Sequence, residues 1–168
     1  MTWSVTGLAE WGCDVATARQ IEQPLHNLYE TDFLAWAESQ AEALRARQVG
    51  ALDWAHLLEE VESMGVSQRH ELKSRLTILL MHLIKWAWQP ERRGNSWKKT
   101  IRIQRREIKD LLDQSGSLKP YLLEISATAW SDACEDAEDE TGLPLPTFPV
   151  KCRWDMESQI LAKDWLPE

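Results

Sequence analysis

Five polar side chains on one apolar stretch pose the chemical question. From Ser67 to Gln89 the chain reads SQRHELKSRLTILLMHLIKWAWQ, with Glu71, Arg75, His82, Lys85 and Gln89 spaced along it. At ~100° per residue these five fall within roughly 80° of helix arc. A helix apolar on its remaining sides is a buried helix, and its charges then need partners or a use. As a site, His82 would be a general acid or base and Arg75 or Lys85 would hold a phosphate. Glu59 or Glu62, from the preceding stretch, would serve as a base or a metal ligand. As structure, the same groups form an internal ion network, with His82 a satisfied core histidine and Lys85 a paired lysine. Either way, Glu59 and Glu62 are expected to approach Lys85 and His82, with Trp97 and Arg105 at the rim.

Arg75 and His82 have six residues between them. That spacing resembles the Arg-x(4–6)-His motif of the HEPN superfamily of helical ribonucleases, which implies a nuclease. Members often carry a polar residue directly after the arginine, whereas Leu76 stands here. Asp53, His56 and Glu60 also share one helix face. A carboxylate bundle site needs Glu-x-x-His repeated on two helices, and that repeat is missing, so cap and surface roles are expected and no metal or cofactor. The chain has no phosphate loop, GxGxxG, GxSxG or HExxH.

Charge points to a second kind of site. Lys85 to Lys109 holds nine basic residues against Glu91 and Glu107, while Asp132 to Glu140 holds six acidic residues and no basic one. The two segments face each other or simply sit in water, or else the basic one forms a ligand face with Trp97, Arg102 and Arg105 as binding residues. Its partner would be an unknown protein or an anionic ligand. Nucleic acid is possible but not indicated, because the net charge of −8 disfavours wholesale binding to polyanions or anionic membrane. The pI is about 5.1. Ten Trp against two Tyr and two Phe put most indoles in the core and helix seams.

Elements to position these residues are legible. Thr31 or Asp32 caps a first helix, about Asp32 to Gln48. Asp53 caps a second to about Met64, and Gly65 breaks it from the central helix, which Pro90 ends. A fourth helix runs from Asn95 or Ser96 to Gln114. A fifth runs from Ser117 to about Glu140 and stops at Gly142. LPLPTFPVKC is proline-rich and extended, a strut laid across the bundle, and a short helix follows over about 155–162. Residues 1–27, with Trp3, Leu8 and Trp11, read as an arm. Residues 28–168 read as a single all-α domain, a bundle of five or six helices with a proline-rich C-terminal segment. Cys13, Cys134 and Cys152 are odd in number and far apart, which fits a reducing cytoplasm. No signal peptide or spanning segment is read, and the oligomeric state stays open.

A longer resemblance covers residues from about Leu28 to Pro167. The pieces YETDFLAWAESQAEALRA, LDWAHLLEEVESMG, LKSRLTILLMHLIKW, QPERRGNSWKKTIRIQRREI, GSLKPYL, TGLPLPTFP and LAKDWLP occur in order. They resemble the bacterial, notably cyanobacterial, family known as domain of unknown function 29. The resemblance implies a compact all-helical fold and brings no activity with it. The family's characteristic positions fall on Glu59, Glu62, His82, Lys85, Trp97 and Arg105. Three readings stand: an interaction or regulatory module with a basic face, a HEPN-like nuclease with His82 as acid/base, and a structural ion network.

Overall fold

The computed structural model describes residues 25–168, with side chains from residue 28 onward. The expected arm lies, up to residue 24, outside the described residues, as does Cys13. Five α-helices follow in order: α1 (Leu25–Thr31), α2 (Phe33–Arg45), α3 (Trp54–Trp88), α4 (Asn95–Gln114) and α5 (Leu118–Thr141). No strand occurs among the described residues. The fold is all-α, and the short α1, which begins directly after Pro24, is an addition to the expected helices. The chain divides into two compact units, 1–57 and 58–168, and the division falls inside α3.

In the first unit, Asp32 is the one of the two candidate caps that caps α2, its carboxylate accepting from the Ala35 amide at 3.1 Å. Trp36 is buried. Its indole N–H donates to Asp53 at 3.4 Å, and His56 Nδ1–H donates to the same carboxylate oxygen at 2.6 Å. His56 stacks on Tyr29 with ring centroids 3.9 Å apart. Gln40 accepts from the Asp53 amide at 2.8 Å. Asp53 and His56 thus tie the start of α3 to α1 and α2.

The second unit is built on α3, which differs from the expected pair of helices. Helix runs unbroken through Gly65 for 35 residues, about 52 Å at 1.5 Å per residue. A lone glycine costs a helix only ~1 kcal/mol relative to alanine. With no proline or side-chain cap beside it, nothing diverts the backbone. From Leu72 to Trp86 the helix is buried on most sides, Leu72, Leu76, Leu79, Leu83 and Ile84 completely. These side chains pack with Ile101 and Ile108 of α4 and Leu122, Ile125, Ala129 and Ala133 of α5. Contacts from Lys85 to Trp97, Arg75 to Glu107 and Gln68 to Ser115 set α4 antiparallel to α3. Contacts from Arg69 to Tyr121, Lys73 to Asp132 and Lys85 to Glu140 set α5 parallel to it.

The C-terminal tail crosses this three-helix body. Phe148 is buried, edge-on to Trp88 at 5.6 Å, and the Trp130 indole donates to the Pro149 carbonyl at 2.8 Å. The expected last helix is a single wide π turn, Met156–Ile160. Its carbonyls Gln159 and Ile160 turn toward Arg105, which draws them out of a continuing helical ladder.

Candidate functional site

Lys85 lies near the C-terminal end of the polar stripe, its side chain only 8% exposed. Its ammonium donates to Glu140 of α5 and sits 4.9 Å from the centre of the Trp97 ring of α4. Both partners are where helix geometry puts them, because α5 ends and α4 begins at the level where α3 ends. One turn earlier, His82 is half-buried, and its Nδ1–H donates to the Ile78 carbonyl of its own helix at 2.9 Å. Burial pulls the imidazole below the ordinary value of 6.5. Nearby Lys85 adds to that shift, while the Ile78 bond and Glu140 oppose it. Gln89 is buried and reaches the Thr141 carbonyl at 3.5 Å. At the other end of the stripe, Arg75 donates to Glu71 at 2.8 Å and approaches Glu107 at 3.7 Å.

Glu59 and Glu62 do not join this cluster. They are exposed on the same continuous α3. Glu62 is 23 residues before Lys85, about 35 Å along the axis. The expected meeting assumed a turn at Gly65, and without that turn the acidic partner comes from Glu140. The run of acids at the end of α5 was the available signal. It pointed to a partner for the basic segment without naming which carboxylate.

Arg105 is held by the tail, not by the Lys85 cluster. It is buried at 7% exposure, and its guanidinium donates to four backbone carbonyls of the tail: Ile160 at 2.7 Å, Trp165 at 2.8 Å, Lys163 at 3.2 Å and Gln159 at 3.3 Å. Burial pulls its pKa down to about 10, partly opposed by Asp164. Helix periodicity puts Arg105 on the basic face of α4 but carries no information about the tail that folds over it. Trp86 is likewise committed, with Arg93 and Lys98 on its ring at 5.4 and 5.3 Å.

Between α4, the start of α5 and the tail runs a groove of about 780 Å³. Lys99, Arg102, Arg106, Lys109, Lys119 and Lys163 line it, together with the tail-bound Arg105, over a floor of Ile103, Leu112 and Leu161, with Asp113 as the one carboxylate. A second hollow of about 540 Å³ shares Lys99, Arg102 and Lys163. Arg106 pairs with its neighbour Glu107 at 2.8 Å. Lys99, Arg102, Lys109, Lys119 and Lys163 have no ion pair among the described residues. Of the expected ligand residues, Arg102 lines the groove and Trp97 lies outside it against Lys85, while Lys119 and Lys163 are additions that only the fold brings in.

The remaining candidates carry no assembled chemistry. Among the described residues no group of three or more His, Cys, Asp or Glu is placed to hold a metal ion. Burial raises the Cys134 thiol to about 11 and also raises Cys152, so neither is an activated nucleophile. No described helix is long and apolar enough to cross a membrane.

The fold and its paired stripe define an all-α protein whose polar core residues meet across three helices. Residues 28–166 match the family described as Domain of unknown function DUF29, and the chain belongs to that family. No curated protein and no solved structure matches the chain.

Proposed function

We propose that the chain is a cytosolic interaction module whose groove along α4 takes an acidic, amphipathic protein segment. One observation carries this reading: Lys99, Arg102, Lys109, Lys119 and Lys163 converge on an apolar floor without ion-pair partners among the described residues. Cations left unpaired in a folded protein repel one another, and an acidic occupant relieves that repulsion. The apolar floor favours an amphipathic helix over a nucleic-acid strand, because a strand offers phosphates to the cations but asks for aromatic stacking surfaces. The one tryptophan of α4, Trp97, is turned to Lys85 instead.

The ion-network reading suits the stripe itself, where Lys85, Arg75 and Gln89 each have a partner. The nuclease reading draws less support. Arg75 is held by Glu71 and Glu107, and His82 spends its Nδ1–H on its own helix.

Fluorescence anisotropy with a labelled acidic amphipathic helical peptide tests the proposal. Lys99→Glu, Arg102→Glu and Lys109→Glu together should weaken binding about tenfold or more, with helical circular dichroism unchanged. Equal affinity in the triple variant, or tighter binding of an RNA oligonucleotide than of the peptide, would overturn it.

A further inference from the structure

The first half of α3 projects beyond the helices that cover its second half. Ser115, just past the end of α4, reaches α3 only at Gln68, and α5 begins its contacts at Arg69 and Lys73. Residues 61–71 are exposed on every side. This arm still carries an apolar stripe: Leu58, Val61 and Met64 stand 59%, 65% and 67% exposed. The three fall within roughly 120° of arc, and Glu59 and Glu62 flank them on one side. Monomers seldom leave large side chains in a row on an exposed helix face.

We infer that the arm is the segment that fills the groove, supplied by a second copy of the chain. The inference rests on the proposed reading of the groove and names its occupant. The arm matches the groove in three respects. Its flank is acidic where the groove walls are basic. Its stripe is apolar where the groove floor is Ile103, Leu112 and Leu161. Its span from Leu58 to Glu71 equals the span from Lys99 to Leu112 along α4, about 20 Å each. The arm cannot fold back into its own groove. Glu107 is level with Arg75, and unbroken helix carries Glu62 about 20 Å further away. A second molecule has no such restriction. When each arm enters the other's groove, two equal contacts close a two-fold dimer.

Sedimentation velocity on the full chain decides the matter. The wild-type chain should self-associate, and more weakly as salt is raised, because the paired charges are exposed before docking. Glu59→Lys with Glu62→Lys should weaken association about tenfold or more, and so should Lys99→Glu with Arg102→Glu and Lys109→Glu. All five residues are exposed, so both variants should keep wild-type circular dichroism. Mixing the two variants should restore association between them. A chain that stays monomeric at every concentration, a dimer indifferent to both reversals, or a mixture that fails to associate would overturn the inference. If the wild type is monomeric but its groove still binds the acidic peptide, the proposed function stands and only this occupant is lost. If the peptide also fails, both fall.

Discussion

Lys85 and Glu140 are 55 residues apart in sequence, yet the ammonium of one donates to the carboxylate of the other at the matched ends of α3 and α5. The pair is lopsided. The lysine side chain is 8% exposed and the glutamate 48%. Removing the glutamate strands a buried cation, whereas removing the lysine leaves a carboxylate that water can reach. Glu140→Gln should therefore cost about 1–3 kcal/mol in urea unfolding, and Lys85→Met under about 1 kcal/mol. The reverse order would show that the pair is not a structural lock.

The Arg105 guanidinium makes more hydrogen bonds to the tail than any other described side chain. Arg105→Lys keeps a charge but loses the planar fork that reaches four carbonyls. Unfolding stability should fall by about 2–4 kcal/mol. Trypsin should cut after Lys163 well before the helices are attacked, and a tail that resists trypsin as in the wild type would argue against this role.

His82 gives stability a pH slope of known sign. Its folded pKa lies below 6.5 because burial disfavours the imidazolium. Between that depressed value and 6.5 the unfolded chain binds more protons than the folded one, so stability rises with pH across this window. Below the folded pKa the contribution levels off. Acidifying from neutral pH should thus lower the urea midpoint, and His82→Gln should flatten that part of the profile. An identical slope in the variant would remove His82 as its source.

Two glycines should respond in opposite directions to alanine. Gly142 ends α5 with φ 71°, a conformation alanine adopts at a cost of about 1 kcal/mol. Gly65 sits inside α3, and a Cβ there would meet nothing within 4 Å. Gly65→Ala should stabilise by about 0.5–1 kcal/mol, read as a higher melting temperature. A loss of stability at Gly65 would mean that the arm is not continuous helix.

Local patterns in the sequence determined a good deal. Asp32 capping α2, Pro90 after α3 and Gly142 after α5 act on the backbone within a few residues, and each works where it stands. The apolar run from Leu72 to Trp86 determined which helix is buried, because periodicity alone decides which faces leave water. The all-α class follows from these same signals, whereas the family is carried by the residues themselves, matched over 28–166. Partners were another matter. Which carboxylate meets Lys85 depended on whether Gly65 bends the chain, a choice worth only ~1 kcal/mol locally and decided by the surrounding helix. The tail over Arg105 decided which α4 cation is buried and held by carbonyls. Lys119 and Lys163 join Lys99 and Arg102 only because α5 and the tail pack beside α4. Helix position is a short-range property of the chain, whereas ion pairs and grooves are made between segments that only tertiary packing brings within reach.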